Sequence, residues 1–525
     1  MYQRPTREQL AGMSDRLGLG LSAADLDAYQ GLAEVMLAGL DATDFDPPPA
    51  PDPAARRSAG RRPLPGEDPL NAVVRWCDVE GAAAGPLSGT RIAVKDSVPV
   101  GGVPMTAASR VLRGYTPSED AIVTERLLRA GARIVAITNM DEFALSGGGD
   151  SGCYGPVLTP YDTGRTAGGS SGGSAAILHY PGVEAAIGTD QGGSIRVPAA
   201  WCGVLGLKPT FGLVPYTGAL GLDATIDHAG PLARDARTLA RVLAAIAGTD
   251  PREGRHRREV RVADYPAAVE RGAAAASLAG TRVGVVRQGF GTEVGAQDEV
   301  VAAVRDTVER LRASGAEIVD VDLPEHALAG AGGFAVTFEG FLSNVQTGGN
   351  GSQREGRYPT GLARALGPAL ARYGGEMSAS VKAHLLFGTY LRERYHGVAY
   401  AGAANLRTVQ RQAYDAALAG VDLLLMPTTP NLPHEVAPDL DPVTRALRGW
   451  ANLTNTSPIN ATGHPAVSLP LAEHDGLPVG VMAVGAYFAE HRLLEFAAAC
   501  EHLLGVRPGP AGLPAPDTPP VLREG

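Results

Sequence analysis

Two glycine-rich loops that carry serine residues begin twenty residues apart in this chain of 525 residues. The first is Gly168–Ser174, and the second starts at Gly188 and runs through Gln191–Ser194 to Arg196. Glycine permits unusual backbone dihedrals and close approach, so several N–H groups of such a loop can converge on one point. A serine in such a loop can therefore act as a nucleophile beside a ready-made oxyanion-binding site.

A serine hydroxyl needs a base to take its proton, and the lysine content of the chain indicates where that base is. Nearly all of the positive charge is arginine, and the lysines are Lys95, Lys208 and Lys382. Arginine cannot be deprotonated in a protein, which favours a special role for a retained lysine. Lys95 ends the apolar run Ile92–Val94, where burial would lower its pKa and favour the neutral amine that a base requires. An ion pair of Lys95 with Asp96 is the competing interpretation.

These motifs resemble the amidase signature family. The similarity covers the strand that ends in Lys95, the two serine loops, and further matches at Thr138–Phe143, Cys202–Thr210, Leu424–Pro427 and Thr462–Pro465. It extends from about Pro69 to Leu504, and three separated motifs in one order are far more specific than a single glycine loop. The resemblance implies an α/β fold with a mixed central sheet flanked by helices on both faces.

The resemblance also implies a Ser-cisSer-Lys triad, in which Ser194 attacks an amide carbonyl and Ser170, reached through a cis peptide bond, passes the proton to Lys95. It places the oxyanion hole at four consecutive backbone N–H groups, those of Gln191, Gly192, Gly193 and Ser194. It places substrate binding at Ala144, Leu145, Ser146, Gly147 and Ser170. The expected supporting residues are Ser171, Asp190 and Arg196. No metal and no cofactor is implied.

Several residues of these motifs admit a second interpretation. The guanidinium of Arg196 could bind a substrate carboxylate through two hydrogen bonds, but an internal ion pair with Asp190 is favoured. His228 and His464 are expected to be buried and structural. No catalytic role is predicted for Lys208.

Two other motifs compete with this interpretation. Gly168–Gly172 fits the nucleophile elbow of α/β-hydrolases, but an elbow follows a buried strand, and the preceding segment 160–166 is polar and loop-like. Gly147–Gly152 fits a dinucleotide-binding pattern, yet no strand leads directly into it and no helix opens after it. That loop also departs from the commoner family form, so substrate preference is not carried over.

Composition excludes several classes of function. A formal net charge of −10 argues against a nucleic-acid-binding surface. The four cysteines are too few and too scattered for a disulfide framework or a zinc site. No run is long and apolar enough to cross a membrane, and the first residues are not a signal peptide. We therefore expect a cytoplasmic protein that acts on a small-molecule amide, without nucleic acid or membrane as partner.

The chain is predicted to have three segments. Residues 1–45 form a helical extension, in which Ser22 caps a helix, and residues 46–69 form a proline-rich linker. Residues 70–515 form the amidase signature domain, in which the strandless stretch 330–406 is a helical cap over the site. Alternating strand-like and helical runs after Thr90 indicate a layered α/β fold.

The predicted elements of the large domain have definite bounds. The strands are 92–95, 134–138, 282–286, 317–321, 423–426, 466–469 and 479–484. The helices are one capped by Ser118 and ending at Gly131, and those at 235–247 and 298–313. Residues 249–278 are predicted to be a surface connection.

The function predicted is hydrolysis of a carboxylic acid amide to the acid and ammonia or an amine, through an acyl-enzyme. The similarity is greatest to bacterial broad-range amidases with an N-terminal extension, for which a homodimer is expected. One alternative is an A-type amidotransferase subunit that releases ammonia from glutamine. Such subunits carry an aspartate for the amino group of glutamine, and the matching segment Asn452–Ser457 has no acid. Another alternative is an amide-forming or non-catalytic protein with the same fold.

Overall fold

A computed structural model describes residues 2–42, 52, 54–256, 259–351, 355–505 and 509–510 of the chain. The chain divides into two compact units, Met1–Pro51 and Asp52–Gly525. The first unit contains two helices, α1 (Arg7–Leu17) and α2 (Ala23–Asp41). Ser22 caps α2, as predicted, and forms a capping box with Asp25 that satisfies backbone N–H groups of the first turn.

The second unit is built on a mixed sheet of twelve strands. The strands of the unit are β1 (Arg56–Arg61), β2 (Val73–Glu80), β3 (Arg91–Lys95), β4 (Arg133–Thr138), β5 (Leu158–Thr159), β6 (Asp162–Thr166), β7 (Ala185–Asp190), β8 (Leu205–Lys208), β9 (His228–Ala233), β10 (Arg282–Val286), β11 (Glu317–Val321), β12 (Leu423–Pro427), β13 (Ala466–His474) and β14 (Leu477–Val484). Their order in the large sheet is β1-β2-β4-β3-β7-β9-β8-β13-β14-β12-β10-β11, and β5 and β6 form a separate hairpin.

The helices of the second unit pack on this sheet or against one another. They are α3 (Ile122–Arg129), α4 (Gly172–Ala176), α5 (Arg196–Cys202), α6 (Ala236–Ile246), α7 (Tyr265–Ala273), α8 (Asp298–Ala313), α9 (Ala329–Gln346), α10 (Thr360–Tyr373), α11 (Ala379–Tyr395), α12 (Val398–Leu418), α13 (Pro442–Ala451), α14 (Ser457–Thr462) and α15 (Glu490–Leu504). Within the described ranges, none of the helices has both the length and the apolar character that spanning a membrane requires.

The strands at 282–286 and 317–321 and the helix at 298–313 have their predicted bounds. The predicted linker differs, because its residues 56–61 form β1 and pair with β2 at the edge of the sheet. Arginine, alanine and glycine side chains give β1 no apolar alternation, so composition did not reveal a strand held by backbone pairing. Part of the predicted linker, residues 46–51 and 53, lies outside the described residues.

Three further elements differ from the prediction. Helix α3 begins after Ala121, not at Ser118, because the Ala121 N–H is bonded to the Pro99 carbonyl oxygen at 3.0 Å and the chain is extended to that point. Strand β6 occupies the segment expected to be a loop, and its first residues are exposed, so no buried strand leads into Gly168. The connection 249–278 contains α7, which buries Tyr265 and Val269.

Parallel strands bring the chemistry-bearing residues to one edge of the sheet. Strands β4 and β7 both run parallel to β3, with Thr138 opposite Lys95 and Ile187 opposite Val94. Helix α4 crosses this edge, and a side chain at its Gly173 would place Cβ 2.3 Å from the carbonyl oxygen of Ala72. Glycine is therefore required there, because only it lets the helix start approach the strand ends so closely.

A buried ion pair closes the loop that connects β7 to α5. The Asp190 carboxylate accepts hydrogen bonds from Arg196 Nε at 3.0 Å and from Arg196 Nη2 at 2.9 Å, and both side chains are fully buried. Burial raises the pKa of Asp190, but the charge and hydrogen bonds of Arg196 outweigh it and hold the pKa well below its usual range. The favoured interpretation of Arg196 is thus confirmed, and its fork is not available to a substrate.

We predict that Asp190→Asn lowers the free energy of unfolding by about 3 to 5 kcal/mol, because it leaves the Arg196 charge buried without an anion. Urea denaturation followed by circular dichroism measures the change. Arg271→Gln is the matched control, because the Arg271–Glu495 pair is exposed and its loss should cost less than about 1 kcal/mol. Equal destabilisation by the two variants would contradict this account.

Candidate active site

Lys95 is at the carboxyl end of β3 and is fully buried. Its Nζ lies 2.7 Å from Ser170 Oγ and 2.8 Å from Thr189 Oγ1. The Asp96 carboxylate instead accepts hydrogen bonds from the backbone N–H groups of Thr106 and Ala108. The lysine amine is therefore held by hydroxyl groups and not by the neighbouring acid.

The environment of Lys95 favours its neutral form. Burial lowers the pKa of the amine to about 7, against the opposing influence of the charges on Asp141 and Asp190. A neutral amine carries a lone pair and can accept a proton from a hydroxyl group. Near neutral pH a large fraction of Lys95 is thus in the form that a general base requires.

The two serine loops are bound to each other. The Gly169–Ser170 peptide bond is cis, as the family resemblance implies. The next residue, Ser171, donates its backbone N–H to the carbonyl oxygen of Ser194 at 3.1 Å and its hydroxyl to the carbonyl oxygen of Thr189 at 3.1 Å. Ser171 therefore fixes the first loop against both the end of β7 and the residue predicted to be the nucleophile.

The second loop faces a cavity. Gln191, Gly192 and Ser194 line its wall. Gly193 has a φ of 144°, and a side chain there would place Cβ 2.1 Å from Thr456 Oγ1. A non-glycine residue at this position is thus excluded both by its backbone conformation and by contact.

The cavity beside Ser194 has a volume of about 160 Å³. Its wall includes Ala144, Leu145 and Ser146, three of the residues predicted to bind substrate. Neither Gly147 nor Ser170 is part of the wall. The Gly147 carbonyl oxygen accepts hydrogen bonds from the Gly169 N–H and the Asn452 side-chain amide, each at 3.0 Å. Gly147 therefore connects the first serine loop, through Gly169, to the segment that contains Asn452. Other apolar parts of the wall are Leu222, Ile226, Phe334, Val336, Trp450 and Leu453.

Sequence reasoning missed the polar residues that distant elements bring to this wall. Arg407 of α12 and Glu293, which lies between β10 and α8, both line the cavity. Arg407 donates to the carbonyl oxygen of Thr225 at 2.8 Å and to that of Ala461 at 3.1 Å. Neither residue lies in a recognisable motif, so no sequence signal identified them.

The remaining motif residues serve the fold. His228 Nδ1 lies 2.7 Å from the carbonyl oxygen of Ile226, and Lys208 Nζ donates to the carbonyl oxygen of His464 at 2.6 Å. All three side chains are buried. In the described part of the chain, no three His, Cys, Asp or Glu side chains are grouped as metal ligands would be.

A family model described as Amidase matches residues 75–494. The A-type subunit of the glutamyl-tRNA(Gln) amidotransferase of Halobacterium salinarum is 38% identical over 82% of this chain and 99% of its own length. An enantioselective amidase of Rhodococcus rhodochrous is 36% identical over 96% of this chain and 97% of its own length.

Solved structures give the same result. The A-type subunit of the glutamyl-tRNA(Gln) amidotransferase of Thermotoga maritima has a TM-score of 0.68 and 27% identity, over 84% of this chain and 90% of that one. The predicted fold class, a mixed central sheet flanked by helices, is thereby confirmed. From its sequence, its sheet and the arrangement of its serine loops, the chain belongs to the amidase signature family.

Proposed function

We propose that this protein hydrolyses the C–N bond of a carboxamide through an acyl-enzyme on Ser194. The observation that supports this most directly is the buried Lys95 amine, 2.7 Å from Ser170 Oγ in a loop that is hydrogen-bonded to Ser194. A base, an intermediate hydroxyl and a nucleophile beside glycine N–H groups are the components that acyl transfer requires.

In the proposed reaction, Ser194 Oγ bonds to the carbonyl carbon while its proton moves to Ser170, whose own proton moves to Lys95 Nζ. Backbone N–H groups of Gln191–Ser194 stabilise the oxyanion. The C–N bond breaks as the relay returns one proton to the nitrogen, and ammonia or an amine leaves. Water then attacks the ester with the same base, which releases the acid and restores Ser194.

We propose that the acyl group is apolar and often aromatic. The Phe334 and His384 rings in the cavity wall each lie 5.4 Å from the ring of Trp450. The Trp450 indole N–H donates to the carbonyl oxygen of Leu145 at 3.1 Å, which fixes the orientation of the ring. Burial lowers the pKa of His384 to about 4, so this ring is uncharged at neutral pH. Aromatic walls of this kind bind flat or branched hydrocarbon groups.

The second candidate is an A-type amidotransferase subunit that takes ammonia from glutamine. Sequence similarity favours this candidate, because the curated relatives of high similarity are mostly subunits of this type. The wall also contains a cation, Arg407, and an acid, Glu293, as a zwitterionic amino acid would require. Against it, Asn452–Ser457 contains no acid, and Leu453 of that segment lines the cavity. An amino group placed beside Leu453 would lose its hydration without gaining a carboxylate partner from this segment.

Self-association is part of the proposal. The two-helix unit exposes large apolar side chains, among them Leu17, Val35 and Met36 on α1 and α2. A patch of exposed apolar side chains can mark a protein–protein contact surface. We propose a homodimer on this ground.

We predict that Ser194 is the acylated residue. A fluorophosphonate should add to Ser194 and abolish activity, because the nucleophile and the N–H donors lie in one short loop. Peptide mass spectrometry locates the adduct, and Ser194→Ala should remain unlabelled. An adduct at Ser170 or Ser171 would contradict the assignment, and a folded chain without any adduct would favour a non-catalytic protein.

We predict that Lys95→Arg reduces kcat by about 10²–10⁴-fold, because arginine keeps the charge but cannot accept a proton. The wild-type kcat/KM should rise as pH increases through about 7, where Lys95 of the free enzyme loses its proton, and should stay high on the alkaline side. Circular dichroism and thermal unfolding check that the variant is folded. Substantial activity of a folded Lys95→Arg variant would show that the base is another residue.

An amide panel separates the two candidate functions. The purified protein alone should release ammonia from phenylacetamide and hexanamide with a kcat/KM at least about tenfold above that for glutamine, because the wall is mainly apolar. An enzymatic ammonia assay measures the rates, and Ser194→Ala supplies the background. A preference for glutamine, or activity that requires a second protein, would establish the amidotransferase candidate.

A further inference from the structure

The carbonyl oxygen of Gly192, two residues before Ser194, is bonded to two hydroxyl groups. Thr456 Oγ1 donates to it at 2.6 Å and Ser457 Oγ at 3.2 Å. Thr456 Oγ1 also has a second, more distant acceptor, the carbonyl oxygen of Leu453 at 3.2 Å. Both donors are at the start of α14, which is far from the serine loops in the sequence. Thr456 is fully buried, so no water replaces this contact in the folded protein.

The two hydroxyls control a peptide group that is otherwise easy to rotate. The peptide between Gly192 and Gly193 has no side chain on either side, so its rotation meets little steric resistance. In a trans peptide the N–H points opposite to the C=O. Because the hydroxyls fix the direction of the Gly192 carbonyl, they also fix the direction in which the Gly193 N–H points. A flipped peptide would turn a carbonyl oxygen toward the position of the oxyanion.

The neighbouring peptides of the loop are held by other bonds. The Gly193 carbonyl oxygen accepts the backbone N–H of Val197 at 2.8 Å, which fixes the N–H of Ser194 within the loop itself. The Asp190 carbonyl oxygen accepts the Asn460 side-chain amide at 2.9 Å, which fixes the N–H of Gln191. The peptide between Gly192 and Gly193 depends on the hydroxyl groups of Thr456 and Ser457, which come from outside the loop.

We propose that Thr456 and Ser457 are positioning residues that hold the Gly193 N–H in the oxyanion hole. This inference rests on the proposed function, and it adds residues that no motif of the serine loops contains. The hydroxyls also polarise the Gly192–Gly193 amide, because hydrogen bonds in a chain strengthen one another. Their effect should therefore be larger on the transition state than on the bound substrate.

The test compares Thr456→Ala with Thr456→Ser, which keeps the hydroxyl. Phenylboronic acid is the probe, because its tetrahedral adduct with the nucleophile places a boron-bound oxygen in the oxyanion hole. Thr456→Ala should lower kcat about tenfold or more and lower the affinity for phenylboronic acid by a similar factor. It should change KM by less than about threefold. Thr456→Ser should stay within about threefold of wild type in all three quantities.

A matched control is Thr307→Ala in α8. The Thr307 hydroxyl is also buried and also bonds backbone carbonyl oxygens, those of Ala303 and Leu471, away from the serine loops. It should change thermal stability and leave the affinity for phenylboronic acid unaltered.

The outcomes separate this inference from the proposed function. If wild type is labelled at Ser194 but Thr456→Ala binds phenylboronic acid as tightly as wild type, the positioning role is wrong and the hydrolase proposal stands. If wild type is not labelled at Ser194, both are wrong. A loss of kcat in Thr456→Ala that Thr456→Ser does not restore would also overturn the role of the hydroxyl.

Discussion

The structure depends on the burial of one amine at the edge of a parallel sheet. Lys95 has no exposed surface and ends the strand between β4 and β7. Removing an ammonium group from water is costly unless the group is paired or becomes neutral. The hydroxyls of Ser170 and Thr189 give this amine its hydrogen bonds without giving it a counter-ion. The fold thus holds a lysine whose pKa is lowered to about 7.

The same sheet edge brings both serine loops to that amine. The first loop passes into α4 and the second leaves β7, and Ser171 bonds the two together. Charge is compensated elsewhere, in the buried pair of Asp190 and Arg196. This division keeps a strong ion pair for loop geometry and leaves Lys95 free to titrate. It explains why Arg196 forms a buried ion pair, whereas Lys95 is able to lose its proton.

Helix α14 and the segment before it connect the two sides of the cavity. Asn452 donates to the carbonyl oxygen of Gly147, and Thr456 donates to the carbonyl oxygen of Gly192 in the second serine loop. Leu453 lies between these contacts in the chain and lines the cavity. Segment Asn452–Ser457 contains no acid, which argues against glutamine as the substrate. The same segment holds the loops through these hydrogen bonds. A change of substrate preference in this fold would have to preserve those hydrogen bonds.

The sequence by itself determined the α/β class, the family, several strands and the residues of the two loops. These follow from local patterns, because glycine runs, apolar periodicity and a lysine among arginines do not depend on the rest of the chain. Strand β1 was not predicted, because an edge strand is defined by its partner's backbone and not by its own side chains. The tertiary structure alone decided that Arg407, Glu293 and Thr456 reach the cavity or its loops. Such contacts join residues that are distant in the sequence, and only the packing of the sheet and helices fixes them.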